Sequence, residues 1–125
     1  MDPFASALDQ AAAMRRGEVS PAELLDMYAG RVRDLDPGLN EFVLMTEELA
    51  REQAAAAVRR LRAGEGGPLC GVPVSVKELA FLAGHRCTFG SRAFEEFVAP
   101  WDDYPVARLK AEGCVILGKT NAPEF

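Results

Sequence analysis

Apolar positions recur at helical spacing through the first half of the chain and alternate or cluster through the second. Asp2 followed by Pro3 is a helix-start pair, and the stretch from Phe4 to Arg16 runs to Gly17, a stop signal. Ser20-Pro21-Ala22-Glu23 has the spacing of a capping box with proline at the first helical position. Leu24, Leu25, Tyr28, Val32 and Leu35 then fall at helical spacing until Asp36-Pro37-Gly38 ends the run. Phe42 to Met45 reads as a short apolar link, with room for one extended turn. Thr46 to Ala63, rich in alanine, glutamate and arginine and followed by Gly64, predicts a third helix. Its narrow Leu49, Ala56, Leu61 stripe points to packing on a surface rather than at the centre.

The texture changes at Gly64-Glu65-Gly66-Gly67-Pro68. Val72, Val74 and Val76 alternate with Pro73, Ser75 and Lys77, the period of a strand. Gly84 to Ser91 is a glycine-punctuated loop with room for a short strand. Asp102 or Asp103 caps a helix that includes Val106, Leu109 and Ala111 and stops at Gly113, and Cys114 to Leu117 predicts a buried strand. Strand, helix, strand in that order favours a parallel or mixed sheet under helical cover. The expected organisation is an α/β fold, with a helical segment over residues 1–66 and the start of an α/β core over 67–125. Asn121-Ala122-Pro123-Glu124 then carries helix-opening signals with only Phe125 beyond it, which predicts a fragment of a longer domain.

Composition narrows the class. The 125 residues are 49% hydrophobic and 26% charged, the balance of a soluble globular domain. Fourteen Lys and Arg against nineteen Asp and Glu give a net charge of −5, so neither nucleic acid nor a membrane surface is an expected partner. A homo-oligomer stays open. The first twenty residues lack the apolar core of a secretory leader, and no apolar run approaches the roughly 20 residues a spanning helix needs. With three cysteines in no paired framework, a reducing, cytoplasmic setting is expected. Cys70, Cys87, Cys114 and the single His85 show no metal-ligand spacing, so neither a metal nor another cofactor is predicted.

Lysine is scarce against arginine, and Lys77 and Lys119 end apolar strands. Lys77 shares a strand face with Ser75. A desolvated lysine can be driven towards the neutral amine that base catalysis needs, which arginine cannot become. The alternative is a strand-end lysine that reaches solvent and pairs with a carboxylate. Gly113 to Thr120 formally fits the phosphate-loop pattern G-x-x-x-x-G-K-[ST], yet Cys114-Val115-Ile116-Leu117 is a strand whose N–H groups belong to a sheet. His85 and Cys87 lie two apart with no orienting group in sequence, and Trp101 before a helix start suits a packing contact.

The block Gly67-Pro68-Leu69-Cys70-Gly71-Val72-Pro73-Val74-Ser75-Val76-Lys77-Glu78 resembles the motif around the catalytic lysine of the amidase signature family. Gly90-Ser91, the segment Asp103 to Gly113, and Gly118-Lys119-Thr120-Asn121 with Glu124-Phe125 are similar in order and spacing, as is Gly17-Glu18-Val19-Ser20 with Glu23-Leu24. The resemblance covers essentially the whole chain. It implies a mixed sheet wrapped by helices, and cleavage of small-molecule carboxylic amides by a Ser–cis-Ser–Lys triad through an acyl-serine intermediate, without a cofactor. By motif match Lys77 is the triad lysine. Both family serines sit in a Gly/Ser-rich segment downstream of the residues matched by Asn121 to Phe125, and Ser6, Ser20, Ser75 and Ser91 do not occupy their positions. The chain is therefore expected to be the amino-terminal part of one amidase-like domain and inactive alone. Departures are Glu78 where the family usually has Asp, Tyr104 for a small residue, Cys87 before Thr88, and Ala122-Pro123 inside the K-T-N-x-x-E-F block. Two alternatives remain. One is the amidase subunit of a tRNA-dependent amidotransferase, which works with partner proteins and draws ammonia from glutamine. The other is a non-catalytic, truncated interaction module.

Overall fold

A computed structural model describes all of residues 1–125. Four helices, α1 (Ala7–Arg15), α2 (Pro21–Leu39), α3 (Glu47–Arg62) and α4 (Tyr104–Glu112), surround three strands, β1 (Phe42–Met45), β2 (Pro73–Lys77) and β3 (Val115–Thr120). The sheet order is β1-β3-β2, with β1 antiparallel and β2 parallel to the central strand, so the sheet is mixed.

Local chemistry sets the boundaries, and several differ from expectation. The first helix starts at Ala7 rather than Phe4. The Ser6 hydroxyl accepts the Asp9 N–H, while the Asp2 carboxylate is spent on a separate turn through the Phe4 N–H. In α2 the capping box forms as expected, with Ser20 Oγ accepting from Glu23 N at 3.2 Å and Ser20 N donating to Glu23 Oε2 at 2.7 Å. Pro37 and Gly38 do not end that helix. It continues to Leu39 because Asn40 adopts the left-handed conformation (φ 55°) that closes the last turn. The Asp36 carboxylate, itself in that turn, takes the N–H groups of Glu41 and Phe42 as the chain leaves.

Phe42–Met45 is an edge strand, not a link. It belongs to the helical half of the sequence yet pairs with β3, so both halves share one sheet. Helix α3 is more central than its leucine stripe predicts: Ala50, Ala54 and Ala57 are its buried positions, and Ala50 and Ala54 pack with Leu25, Ala29, Val115 and Leu117. Small side chains let the helix approach α2 and the sheet closely, a signal that a search for large apolar residues passes over. On the opposite sheet face Val76 and Ile116 pack with Leu82 and Val106 of the α4 layer.

Strand β3 runs beyond Leu117 to Thr120. At Gly118 a Cβ would collide with the Leu44 carbonyl oxygen and come within 3.0 Å of the Phe42 ring, so glycine lets β1 close on the central strand. The β2–β3 register shifts here: Val74 lies opposite Ile116, Ser75 opposite Gly118 and Val76 opposite Lys119. The irregularity places Lys119 on the face of Ile116 and Val76, under the loop between β2 and α4. Residues 121–125, where the sequence signals a helix opening, follow β3 without helical structure. No helix is long and apolar enough to cross a membrane.

Candidate active site

Lys77 ends β2 opposite Thr120, one residue before the buried Glu78. Its side chain is exposed, and Nζ donates to the carbonyl oxygen of Asn121 at 2.6 Å. The exposure fits the strand-end alternative, although the partner is a backbone carbonyl rather than a carboxylate. Ser75, on the same face, is also exposed and lines a cleft of about 370 Å³ with Tyr28, Val32, Leu35, Phe42 and Leu117. The sheet thus leaves an open, largely apolar hollow on the face that carries the lysine.

Burial belongs to the other strand-end lysine. Lys119 is 0% exposed, donates from Nζ to the Arg86 carbonyl at 2.9 Å, and has its pKa lowered, first of all by loss of solvent. The nearby Glu78 and Asp103 carboxylates and the Cys87 thiol oppose that shift. Sequence reading missed this residue because it ended the strand at Leu117; a lysine following an apolar run in a lysine-poor chain was the available signal.

Glu78 carries a buried, fully engaged carboxylate. Its Oε1 accepts the Thr88 N–H at 2.6 Å and the Thr88 hydroxyl at 3.0 Å, and its Oε2 accepts the Phe89 N–H at 3.1 Å. The two aspartates at the start of α4 act on the same loop. Asp103 stands at the N-cap position but turns its carboxylate to the Phe81 N–H, and Asp102 accepts from Ala83 N while pairing with Lys110 at 2.7 Å. Trp101 packs on Phe81, with ring centroids 5.7 Å apart.

Other candidates are not assembled. His85 Nδ1 lies 3.0 Å from the Ala83 carbonyl, whereas the buried Cys87 thiol donates to the Glu78 carbonyl at 3.2 Å. The phosphate-loop look-alike is β3 itself, with Val115 N–H donating to Val72 O. Ser91 Oγ donates to Glu124.

Burial raises the pKa of all three free thiols, Cys70, Cys87 and Cys114. A folded-state pKa above the unfolded value near 9 means that these thiols stabilise the fold below that pH. That stability is lost as pH rises from about 9 through the folded values. Lys119, lowered from near 10.5, acts with the opposite sign: the unfolded chain holds its proton longer, so this one group makes stability rise with pH in the same range. Urea midpoints are expected to fall as pH rises above about 9. The combined substitution Cys70→Ala, Cys87→Ala, Cys114→Ala should flatten or reverse that slope; a slope indifferent to the thiols would refute the assignment.

The sequence profile of the Amidase family matches residues 23–125. A glutamyl-tRNA(Gln) amidotransferase subunit from Thioalkalivibrio sulfidiphilus is 48% identical over 114 residues, which are 91% of this chain and 24% of that protein. Among solved structures, a peptide amidase from Stenotrophomonas maltophilia superposes with a TM-score of 0.90 at 34% identity, covering 97% of this chain and 25% of that one. A bacterial aryl acylamidase of the amidase signature family gives 0.88 at 33%, covering 96% and 26%. The chain spans about a quarter of the length of these relatives, and the mixed sheet under helices that its sequence implied is the arrangement it shares with them. This chain belongs to the amidase family.

Proposed function

We propose that residues 1–125 form the amino-terminal part of an amidase domain that cleaves small-molecule carboxylic amides, with Lys77 as its general base. In this reading the neutral amine takes a proton from a bridging serine, which takes one from the nucleophilic serine. That oxygen attacks the amide carbonyl, ammonia or an amine departs, and water releases the acyl group. The observation that carries the reading is the position of Lys77. It closes the parallel strand β2 within the Gly67–Glu78 block, on the strand face whose Ser75 lines an open hollow, with a single carbonyl as its partner. In the family the two serines lie beyond the positions matched here by Asn121 to Phe125.

The test compares the purified chain with the same chain joined to the downstream three-quarters of a homologous amidase. The chain alone is expected to turn over no amide, and the joined polypeptide to hydrolyse one. Lysine-dependent amide turnover by the 125 residues alone would overturn the division of labour.

A second reading, the amidase subunit of a tRNA-dependent amidotransferase, is favoured by a specific observation. The amidotransferase relative is 48% identical, against 33–34% for the solved amidases. Such a protein would release ammonia from glutamine and depend on partner proteins. Preference of the joined polypeptide for glutamine over other primary amides supports this reading, and indifference to glutamine removes it.

A further inference from the structure

Glu78 is the one buried carboxylate of the chain, at 3% exposure, and the proton relay proposed above does not use it. Its three hydrogen bonds all go to the Thr88–Phe89 turn. In that turn Phe89 takes a left-handed conformation (φ 53°), a cost for a bulky residue that the carboxylate offsets by fixing the N–H groups of Thr88 and of Phe89 itself. The next residues hold the end of the chain. A Cβ on Gly90 would sit 2.8 Å from the carbonyl oxygens of both Ala122 and Pro123, so the turn and residues 121–125 lie in direct contact. Phe125 N–H donates to Phe89 O at 2.8 Å, and Ser91 Oγ donates to Glu124 Oε1 at 2.7 Å.

These contacts close a ring. Lys77 and Glu78 are consecutive, and Glu78 shapes the 88–91 turn. The turn seats residues 121–125, and the carbonyl of Asn121 receives the Lys77 amine. We propose that Glu78 is a positioning residue for Lys77. Its carboxylate builds the turn that seats residues 121–125, and so fixes the Asn121 carbonyl that aims the amine. The functional meaning rests on the reading of Lys77 as base; the geometric claim does not. The longer side chain of Glu78, where the family usually has Asp, still brings both oxygens to the turn.

The experiment is competitive acetylation of the intact chain with acetic anhydride, read peptide by peptide. Its three lysines report separately: Lys77 on the ring, Lys110 paired with Asp102, and Lys119 sealed in the core. Glu78→Gln keeps the volume but points an amide donor at groups that are themselves donors. It is expected to speed acetylation of Lys77 about fivefold, the scale of losing one ordinary hydrogen bond, while Lys110 and Lys119 keep their rates. Glu78→Asp should restore most of the native rate. Ser91→Ala leaves the carboxylate in place and removes only the hold on Glu124; it should produce a smaller acceleration confined to Lys77.

Selective acceleration at Lys77 supports the proposal. Unchanged Lys77 rates in both variants overturn it. Equal acceleration at all three lysines in Glu78→Gln makes Glu78 a general structural residue and overturns it too, unless Ser91→Ala still singles out Lys77. Acetylation reads how the amine is held, not turnover, so failure of the base assignment would leave this result standing.

Discussion

Lys77→Arg is expected to lower amide turnover of the joined polypeptide by about 10³-fold, the scale of losing a positioned general base. The folding stability of the 125-residue chain should change by less than about 1 kcal/mol. The two halves of this expectation come from the same geometry. Lys77 is exposed and makes one hydrogen bond, to the Asn121 carbonyl, which a guanidinium can also satisfy. Arginine therefore preserves charge and contact but cannot release a proton at neutral pH. Lys77→Ala should show the same loss of turnover with an equally small change in denaturation midpoint. If the arginine variant kept turnover within a few-fold of the native value, the lysine would be a binding group and the relay would lie elsewhere. If stability fell together with activity, the strand end would be structural. The separation of the two readouts is the useful signature.

How far the sequence announced these features depended on the kind of signal. The capping box at Ser20 to Glu23 and the alternating strand Pro73–Lys77 are local codes, written in residues that touch one another, and both form as expected. The residues around Lys77 were recognisable because their order is specific. What could not be read were features made by long-range pairing. Phe42–Met45 becomes a strand only because β3 lies beside it, and a four-residue apolar run carries no period of its own. The alanine face of α3 is hidden among alanines that also serve helix propensity. Pro37 signals a stop that the helix passes, because the device that ends α2 is the left-handed Asn40 three residues on. The exchange of roles between the two lysines follows from register. A strand thought to end at Leu117 leaves Lys119 in a loop, whereas the shift at Gly118 turns it into the core.

That register has an energetic consequence. Lys119→Ala is expected to destabilise the chain by about 3 kcal/mol, the scale of a large-to-small core change that also strips the Arg86 carbonyl of its donor. The native side chain fills space on the Ile116 and Val76 face and supplies the Arg86 carbonyl with its hydrogen bond at 2.9 Å. Alanine leaves a cavity and an unpaired acceptor together. Lys119→Met separates the two contributions, since it restores volume without the donor and also removes the cost of a desolvated amine. Glu78, the nearest buried carboxylate, loses an opposing charge in either variant but keeps its own three donors at Thr88 and Phe89. Methionine should therefore recover about 2 kcal/mol relative to alanine. It should also remove the alkaline rise in stability that Lys119 contributes, because no group with a lowered amine pKa remains there. Urea denaturation of the three proteins at neutral and alkaline pH measures both effects. Equal midpoints for alanine and methionine would mean that water enters the site and that the lysine is not sealed in the core.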